Sequence, residues 1–550
     1  MNEPSSLGER DAHGAIDRST MNARARASRV VDVALGANEE RVFASHVVVR
    51  ALTGSLDAHG YVSMPGSNAI RSRGIPRGRA REGTRAIAGD RGCVLRVEVM
   101  DDEWNGDDDR GGDDATASER EAYAPTIGND WRQAKETIVR VTNAPGKTCA
   151  AVIGPKGSGK STLARFLANA FVARDGACAW LDLDCGRPEL TSPGVVSLTV
   201  LRAPLLGPAV ARLACGAAYA GAPATASEAR FVGDTSPQSD PEGYLKGALK
   251  CVDAWKAMGD RRPALVVNTH GWVKGLGLEL TEEVLRAVGA CATECFAVNI
   301  NSHVASRNAP TVDWFCDDAS SRSRPNVRAL EVAAGFGTAP KGDDADVEET
   351  SRDMGDGAEV KSKDARMSAI DLRALSWLAW AKQTVAMCND RSSEGALTFE
   401  EGGEVEAFNA AAADLMRAPP WKVCLDDIVI HVLHADLPAR EALMAINGAV
   451  VGLLAAPAPG EDRGLAECVG LGLVRGIDAK NRYVYILTPV PGDKLKAVET
   501  LALGKLEFPP RLLGAAGEYP YMHIGTISNI GSGSKAIKSR NNISRAGTRR

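Results

Sequence analysis

The sequence predicts an α/β fold, a parallel sheet with helices on both faces, flanked by smaller N-terminal and C-terminal β-rich domains. Three observations carry this expectation. A short apolar run, Cys149 to Ile153, leads through a glycine-rich loop into a stretch with Leu163, Phe166, Leu167 and Phe171 at helical spacing. Further buried-strand runs follow at Ala179 to Leu183, Ala264 to Asn268 and Cys295 to Ile300, alternating with helical stretches as parallel strands joined by crossover helices do. On either side, β-branched runs separated by turn residues occupy Arg41 to Pro65 and the chain beyond about Pro420.

The loop reads Gly154, Pro155, Lys156, Gly157, Ser158, Gly159, Lys160, Ser161, Thr162, which is G-x-x-x-x-G-K-[ST] between a strand and a helix, the context a P-loop NTPase requires. Successive backbone N–H groups must converge on phosphate oxygens there, and bulky side chains would obstruct them. Lys160 adds a point charge against the outer phosphates, and the Ser161 hydroxyl is suited to a magnesium ion held between two phosphate oxygens. ATP and Mg2+ are the expected ligands. A chance glycine-rich turn is the competing reading, and the agreement of strand, loop and helix signals speaks against it.

The run from Ala179 ends in alternating acids, Asp182 and Asp184. In a doubly wound sheet the carboxyl end of a strand faces the ligand crevice, so an acid there can reach the magnesium shell. Asp184, expected to be last on the strand, is the better placed. The alternative is that both are solvated strand-end residues. Beyond the strand at Ala264 to Asn268, Thr269-His270-Gly271-Trp272 presents a large aromatic, which suits either a stacking platform for a nucleobase or a core position. His270 reads as incidental rather than as a catalytic base.

Four segments in order, GPKGSGKST, LDLDCGRPELTSPGVVSL, FVGDTSPQSDPEGYLKGA and VVNTHGWVKGLG, resemble the eukaryotic polynucleotide 5′-hydroxyl kinases, and within them the nucleolar branch that acts in ribosomal-RNA processing. The resemblance runs from about residue 40 to the C-terminus, with unmatched insertions. It implies transfer of the γ-phosphate of ATP to the 5′-hydroxyl end of RNA, with Lys160, Asp184 and a lid arginine, Arg373 ahead of Arg366, as catalytic residues. It further implies a substrate channel lined by Thr235, Ser236 and Pro237 and an RNA contact at Thr269, Gly271 and Trp272. A helix-entry loop with Ser and Asp caps explains Thr235 to Pro237 equally well, and a solvated helix residue is the alternative for Arg373. The resemblance also implies a nuclear, nucleolar setting and a pre-ribosomal RNA endonuclease partner that leaves 5′-hydroxyl ends. One position departs from the family: Arg187 stands where glutamine is usual.

The remaining organisation follows from composition. The expected divisions are a disordered leader at 1–38, an N-terminal β domain with charged insertions at 39–122, and the P-loop domain at 123–304. Beyond them come a disordered insertion at 305–363, a lid or helical segment at 364–400, a C-terminal β-rich domain at 401–533 and a basic tail at 534–550. The arginine-rich Arg71 to Arg85 and acidic Asp101 to Asp114 read as mobile loops. A formal charge of −5 means that any grip on RNA is local. Twelve scattered cysteines without a C-x-x-C pair point to a reducing compartment without structural zinc. With no apolar stretch of about twenty residues and no N-terminal apolar signal core, no membrane partner is expected and the chain reads as soluble and intracellular. The competing functional class is a nucleotide-retaining RNA-processing scaffold without turnover; an NTPase motor is disfavoured, since no second phosphate loop or helicase motif is seen.

Overall fold

The structure is a computed structural model and describes residues 29–43, 47–65, 70–72, 75–77, 80–82, 84–99, 122–123, 127–140, 148–206, 228–301, 327–334, 369–389 and 403–513. Its central domain comprises, in chain order, α1 (Asn129–Arg140), β1 (Thr148–Ile153), α2 (Lys160–Asp175), β2 (Cys178–Asp182), β3 (Val195–Leu201) and β4 (Glu228–Phe231). Then follow α3 (Pro241–Ala257), β5 (Leu265–Asn268), α4 (Leu276–Gly289), β6 (Glu294–Asn301) and β7 (Val327–Ala333). The seven strands lie in the order β4-β3-β2-β5-β1-β6-β7. Five run parallel, β2 with β5, β5 with β1, β1 with β6 and β6 with β7. The sheet is mixed rather than purely parallel, because β3 turns back on β2 and β4 on β3.

Alternation along β1 explains the two helical layers. Ala150 and Val152 face one core with Phe166, Leu163 and Trp131 from α2 and α1. Cys149, Ala151 and Ile153 face the other, with Tyr244 and Trp255 from α3 and Leu280 and Val284 from α4. Every residue of β1, β2 and β5 is buried, as central strands covered on both sides require. Helix α2 is buried around most of its circumference because a third element covers its outer face.

That element is the N-terminal domain, a six-stranded sheet built on Val47–Ala58 and Thr84–Val99. Its tight turn at Asp57 to Gly60 rests on α2. The His59 ring meets the Thr162 carbonyl at 3.1 Å, the Asn169 amide donates to the His59 carbonyl at 2.9 Å, and a Cβ on Gly60 would lie 2.5 Å from the Phe166 carbonyl oxygen. Since a carbonyl only accepts, His59 Nε2 carries the proton in that contact. Two expectations need correction here. Residues 29–38, assigned to the leader, begin with the strand Arg29–Leu35, paired residue for residue with Cys93 to Val99, while 1–28 lie outside the described residues. Within the arginine-rich stretch expected to be loop, Ile75–Arg77 and Ala80–Glu82 pair antiparallel. The acidic block 101–114 lies outside the described residues.

The C-terminal domain is a six-stranded sheet in the order Trp421–Cys424, Tyr483–Leu487, Cys468–Asp478, Val450–Ala455, Val498–Leu503, Val429–Val432. Helices α5 (Ala369–Cys388) and α6 (Gly403–Arg417) close its core, where Trp377, Trp380 and Phe508 meet edge to face at 5.4 to 5.9 Å. The domain docks on β4: Arg230, nearly buried, pairs with Glu228 and lies 3.7 Å from Glu461, and the Lys505 amide donates to the Gly233 carbonyl at 2.6 Å. A further correction concerns 305–363, where β7 forms the edge of the central sheet within the expected insertion; 302–326 and 335–368, Arg366 included, lie outside the described residues, as does the basic tail.

Candidate active site

The loop after β1, the loop after β2 and the turn after β5 all leave the carboxyl ends of three neighbouring parallel strands, so the topology delivers them to one crevice. The first is the phosphate loop. A Cβ on Gly154 would lie 2.9 Å from Ser158 Oγ and 3.1 Å from Ile300 Cβ, and Gly159 turns into α2 at φ 97°, a conformation that favours glycine. The N-terminus of α2 has no side-chain cap and no acid in its first turn. Ser158 Oγ is buried without a hydrogen-bond partner, and beyond the Cα of Gly157 there is open space. Uncapped amides, an orphaned hydroxyl and an open mouth are the donor set that a chain of phosphates satisfies. Lys160 is only 4% exposed, and its Nζ donates to the Pro155 carbonyl of its own loop at 2.9 Å. Burial pulls its pKa down to about 8, opposed by Asp184 and helped by Arg187 and Lys156. Ser161, half-buried in the first turn, is available as a metal ligand.

The two acids after Leu181 have different surroundings. Strand β2 ends at Asp182, whose carboxylate is fully buried and receives N–H groups from Trp180, Asn268, Asp184 and Glu189. Burial pushes that carboxyl up to about 7, against the pull of the donors. Asp184 lies two residues past the strand, half-exposed, with its Oδ1 accepting the amides of Gly186 at 3.1 Å and Arg187 at 3.3 Å. Of the two acids expected near a magnesium shell, only Asp184 faces the crevice, and its charge acts on both Lys160 and His270.

The turn after β5 sits directly against the phosphate loop. A Cβ on Gly271 would lie 2.7 Å from Lys156 Cγ and 3.1 Å from the Lys156 amide nitrogen, and Thr269 Oγ1 donates to the Val152 carbonyl at 2.7 Å. His270 is buried, its Nδ1 accepting the Trp272 amide at 3.2 Å and its ring edge-on to Tyr244 at 5.5 Å. Burial lowers its pKa to about 4, so the ring is neutral near pH 7, which suits a shaping residue. Trp272 is half-buried, with one part of the indole on the first turn of α4, where a Cβ on Gly277 would lie 2.4 Å from its ring.

Thr235 reaches the same rim through its backbone: a Cβ on Gly186 would lie 2.7 Å from the Thr235 carbonyl. Ser236 caps the short helical turn Pro237–Ser239 by accepting the Gln238 amide, and Asp240 caps α3 by accepting from Gly243, so the capping role is realised for Ser236. Arg187 acts electrostatically on Lys160, so the residue that departs from the family pattern contributes positive charge to the crevice. Arg373 lies half-buried in the second turn of α5, whose apolar face belongs to the C-terminal core rather than to either core of the central sheet. Two contributors escape sequence reading: Asn268 and Glu189, whose N–H groups hold the Asp182 carboxylate, and His59 behind the first turn of α2. Both act through partners distant in sequence, which leave no local signal.

Residues 154–299 match the family described as mRNA cleavage and polyadenylation factor CLP1 P-loop, and residues 416–509 match the NOL9-like C-terminal domain. The polynucleotide 5′-hydroxyl-kinase NOL9 of Arabidopsis thaliana is 29% identical over 424 residues, covering 75% of this chain and 100% of that one. Over most of its length the chain is similar to the polynucleotide 5′-hydroxyl kinases. Relatives of the same name, from Danio rerio and Homo sapiens, are 26% and 25% identical, covering 68% and 71% of this chain and 48% and 54% of theirs, so the chain spans about half their length. A solved structure of Clp1p with Pcf11p shares the fold at TM-score 0.50 and 11% identity, covering 86% of this chain and 98% of that one.

Proposed function

We propose that this chain is an ATP-dependent kinase that moves the γ-phosphoryl group to the 5′-hydroxyl end of RNA in pre-ribosomal RNA processing. The observation that carries the reading is the meeting of the phosphate cradle, Asp184 and the Thr269-Trp272 turn at the ends of three adjacent parallel strands. The cradle from Gly154 to Thr162 binds the triphosphate, and Lys160 exchanges the Pro155 carbonyl for phosphate oxygens. The RNA terminus stacks on Trp272, with Thr269, Gly271, Thr235 and Ser236 lining its approach. Its 5′-oxygen forms a bond to the γ-phosphorus as the bond to the β,γ-bridging oxygen breaks. Asp184 orients the hydroxyl and takes its proton, directly or through water, and ADP departs.

A loose transition state releases that proton late, so positioning supplies most of the rate. Arg373 is the candidate to neutralise the equatorial oxygens, an effect worth about 10³ to 10⁵ in related chemistry. Ser161 and Asp184 would hold Mg2+, which when bound neutralises charge across the β- and γ-oxygens.

The names of the relatives support the activity. An endonuclease that leaves 5′-hydroxyl ends on pre-ribosomal RNA is the fitting partner, and the nucleolus the fitting location. The test is transfer of labelled γ-phosphate to matched 5′-hydroxyl RNA and DNA oligonucleotides, with and without magnesium. Transfer abolished by Lys160→Ala supports the kinase; tight ATP retention without transfer by the intact chain supports a scaffold instead.

A further inference from the structure

The Asp182 carboxylate has no access to the crevice, and the proposed reaction gives it no task. It is fully buried at the last position of β2. Its Oδ1 accepts the Asn268 side-chain amide at 2.9 Å and the Asp184 backbone amide at 3.3 Å. Its Oδ2 accepts the Glu189 backbone amide at 2.7 Å and the Trp180 indole at 3.1 Å. Two of these donors, at 184 and 189, bracket the loop that carries Asp184. A third, Asn268, is the last residue of β5 and immediately precedes Thr269, where the Trp272 turn begins.

The junction is further held by the Leu183 amide donating to the Asn268 carbonyl at 2.9 Å and by the Tyr244 hydroxyl donating to the Leu183 carbonyl at 2.9 Å. The Glu189 side chain lies 3.8 Å from Arg165 of α2, and both residues are buried. A carboxylate is the group suited to this junction: two oxygens present about four acceptor positions and no donor, whereas an amide turns one pair of N–H groups onto its own NH2.

We propose that Asp182 is a positioning residue that fixes the loop carrying Asp184 and the turn carrying Trp272 at a set separation, so that it governs the encounter of the RNA terminus with its base and leaves nucleotide binding untouched. The kinetic consequence rests on the kinase reading; the mechanical one does not. Cradle and first helical turn are held by their own contacts, Thr269 to Val152 and His59 to Thr162, which this carboxylate does not make.

The test uses the full chain with Asp182→Asn, and with the swapped double variant Asp182→Asn/Asn268→Asp, in which an amide donates to a carboxylate across the same gap. By hydrogen exchange, Asp182→Asn is expected to speed exchange in both 183–190 and 268–273 while leaving 160–175 unchanged, and the swap to slow both segments again. With ATP and 5′-hydroxyl RNA, Asp182→Asn is expected to lower kcat about 10- to 100-fold with ATP affinity within about threefold, since displacement of reacting groups by about 1 Å costs on that order. The swap is expected to recover most of that loss. Where Asp182→Asn fails to fold, Asn268→Ser removes a single donor and carries the same two measurements. Exchange raised in only one of the two segments, or ATP affinity and kcat falling together, overturns the proposal. If the unaltered chain transfers no phosphate, the kinase reading alone falls, and the exchange pattern still decides whether the carboxylate couples the two loops.

Discussion

Nucleotide binding by this chain should take up a proton above neutral pH, because the lysine that must face the phosphates begins partly neutral. Lys160 is pulled down to about 8 chiefly by burial, with Arg187 and Lys156 adding to the effect of desolvation and Asp184 opposing it. At pH 8 about half of the chains carry a neutral amine there, at pH 9 about nine-tenths, and at pH 7 about one-tenth. Triphosphate oxygens against Nζ favour the charged form, so binding draws about 0.5 proton per nucleotide at pH 8 and about 0.1 at pH 7. Calorimetry in buffers of differing ionisation enthalpy reads that number directly. In Lys160→Arg, where the charge is permanent, uptake at pH 8 should vanish while binding persists in weakened form. The same depression carries a stability term. The unfolded amine titrates near 10.5, so the unfolded state holds more protons between pH 8 and 10.5, and stability contributed by this group rises by about 3 kcal/mol across that window. Proton uptake at pH 8 that is absent in the unaltered chain, or equal in Lys160→Arg, would refute the buried, partly neutral lysine and with it this description of the cradle.

Three further perturbations separate the parts of the site. Trp272→Ala should raise KM for RNA about 10- to 100-fold, as loss of about 1–3 kcal/mol of base stacking implies, with ATP affinity unchanged; equal losses for both substrates would make the indole a folding residue. His270, held near 4 by burial, lies below its unfolded value of 6.5, so its contribution is full above pH 6.5 and is lost as pH falls toward 4. That loss amounts to about 3 kcal/mol, and His270→Asn should flatten the fall of urea midpoints between pH 6.5 and 4.5; an unchanged slope counts against the buried neutral ring. Arg187→Gln should raise the affinity of Lys160 for its proton and so reduce proton uptake on nucleotide binding at pH 8, a shift the same calorimetry detects; unaltered uptake would place the guanidinium outside the crevice.

The features legible in the sequence are those whose physics is local. The phosphate loop is a run of consecutive residues between a strand and a helix, and Asp184 and Trp272 each follow a buried strand whose apolar run marks where its carboxyl end must fall. What escaped reading depends on distant partners. Arg29–Leu35 gains its strand from residues 93–99, and β7, half-exposed at the sheet edge, from β6, so neither carries the continuous apolar run that betrays a central strand. The reversal of β3 and β4 has no marker, because an antiparallel strand buried on both faces, as β3 is, reads like a parallel one. Asp182 looked like a twin of Asp184 two residues away. Residues two apart share a face in an extended strand, but the chain leaves β2 after Asp182, and only the folded arrangement brings the donors at 180, 184, 189 and 268 around one carboxylate.

The crevice between the phosphate loop and the Trp272 turn is the proposed meeting place of a nucleic-acid end and the γ-phosphate. A crystal structure of the full chain with a non-hydrolysable ATP analogue, magnesium and a 5′-hydroxyl oligonucleotide tests this most directly. The expected result is a terminal 5′-oxygen about 3–3.5 Å from the γ-phosphorus and in line with the leaving oxygen, within hydrogen-bonding reach of Asp184, with the end nucleotide on the Trp272 indole. An analogue seated in the cradle with the oligonucleotide end bound elsewhere, or with Asp184 turned away from it, would contradict the account.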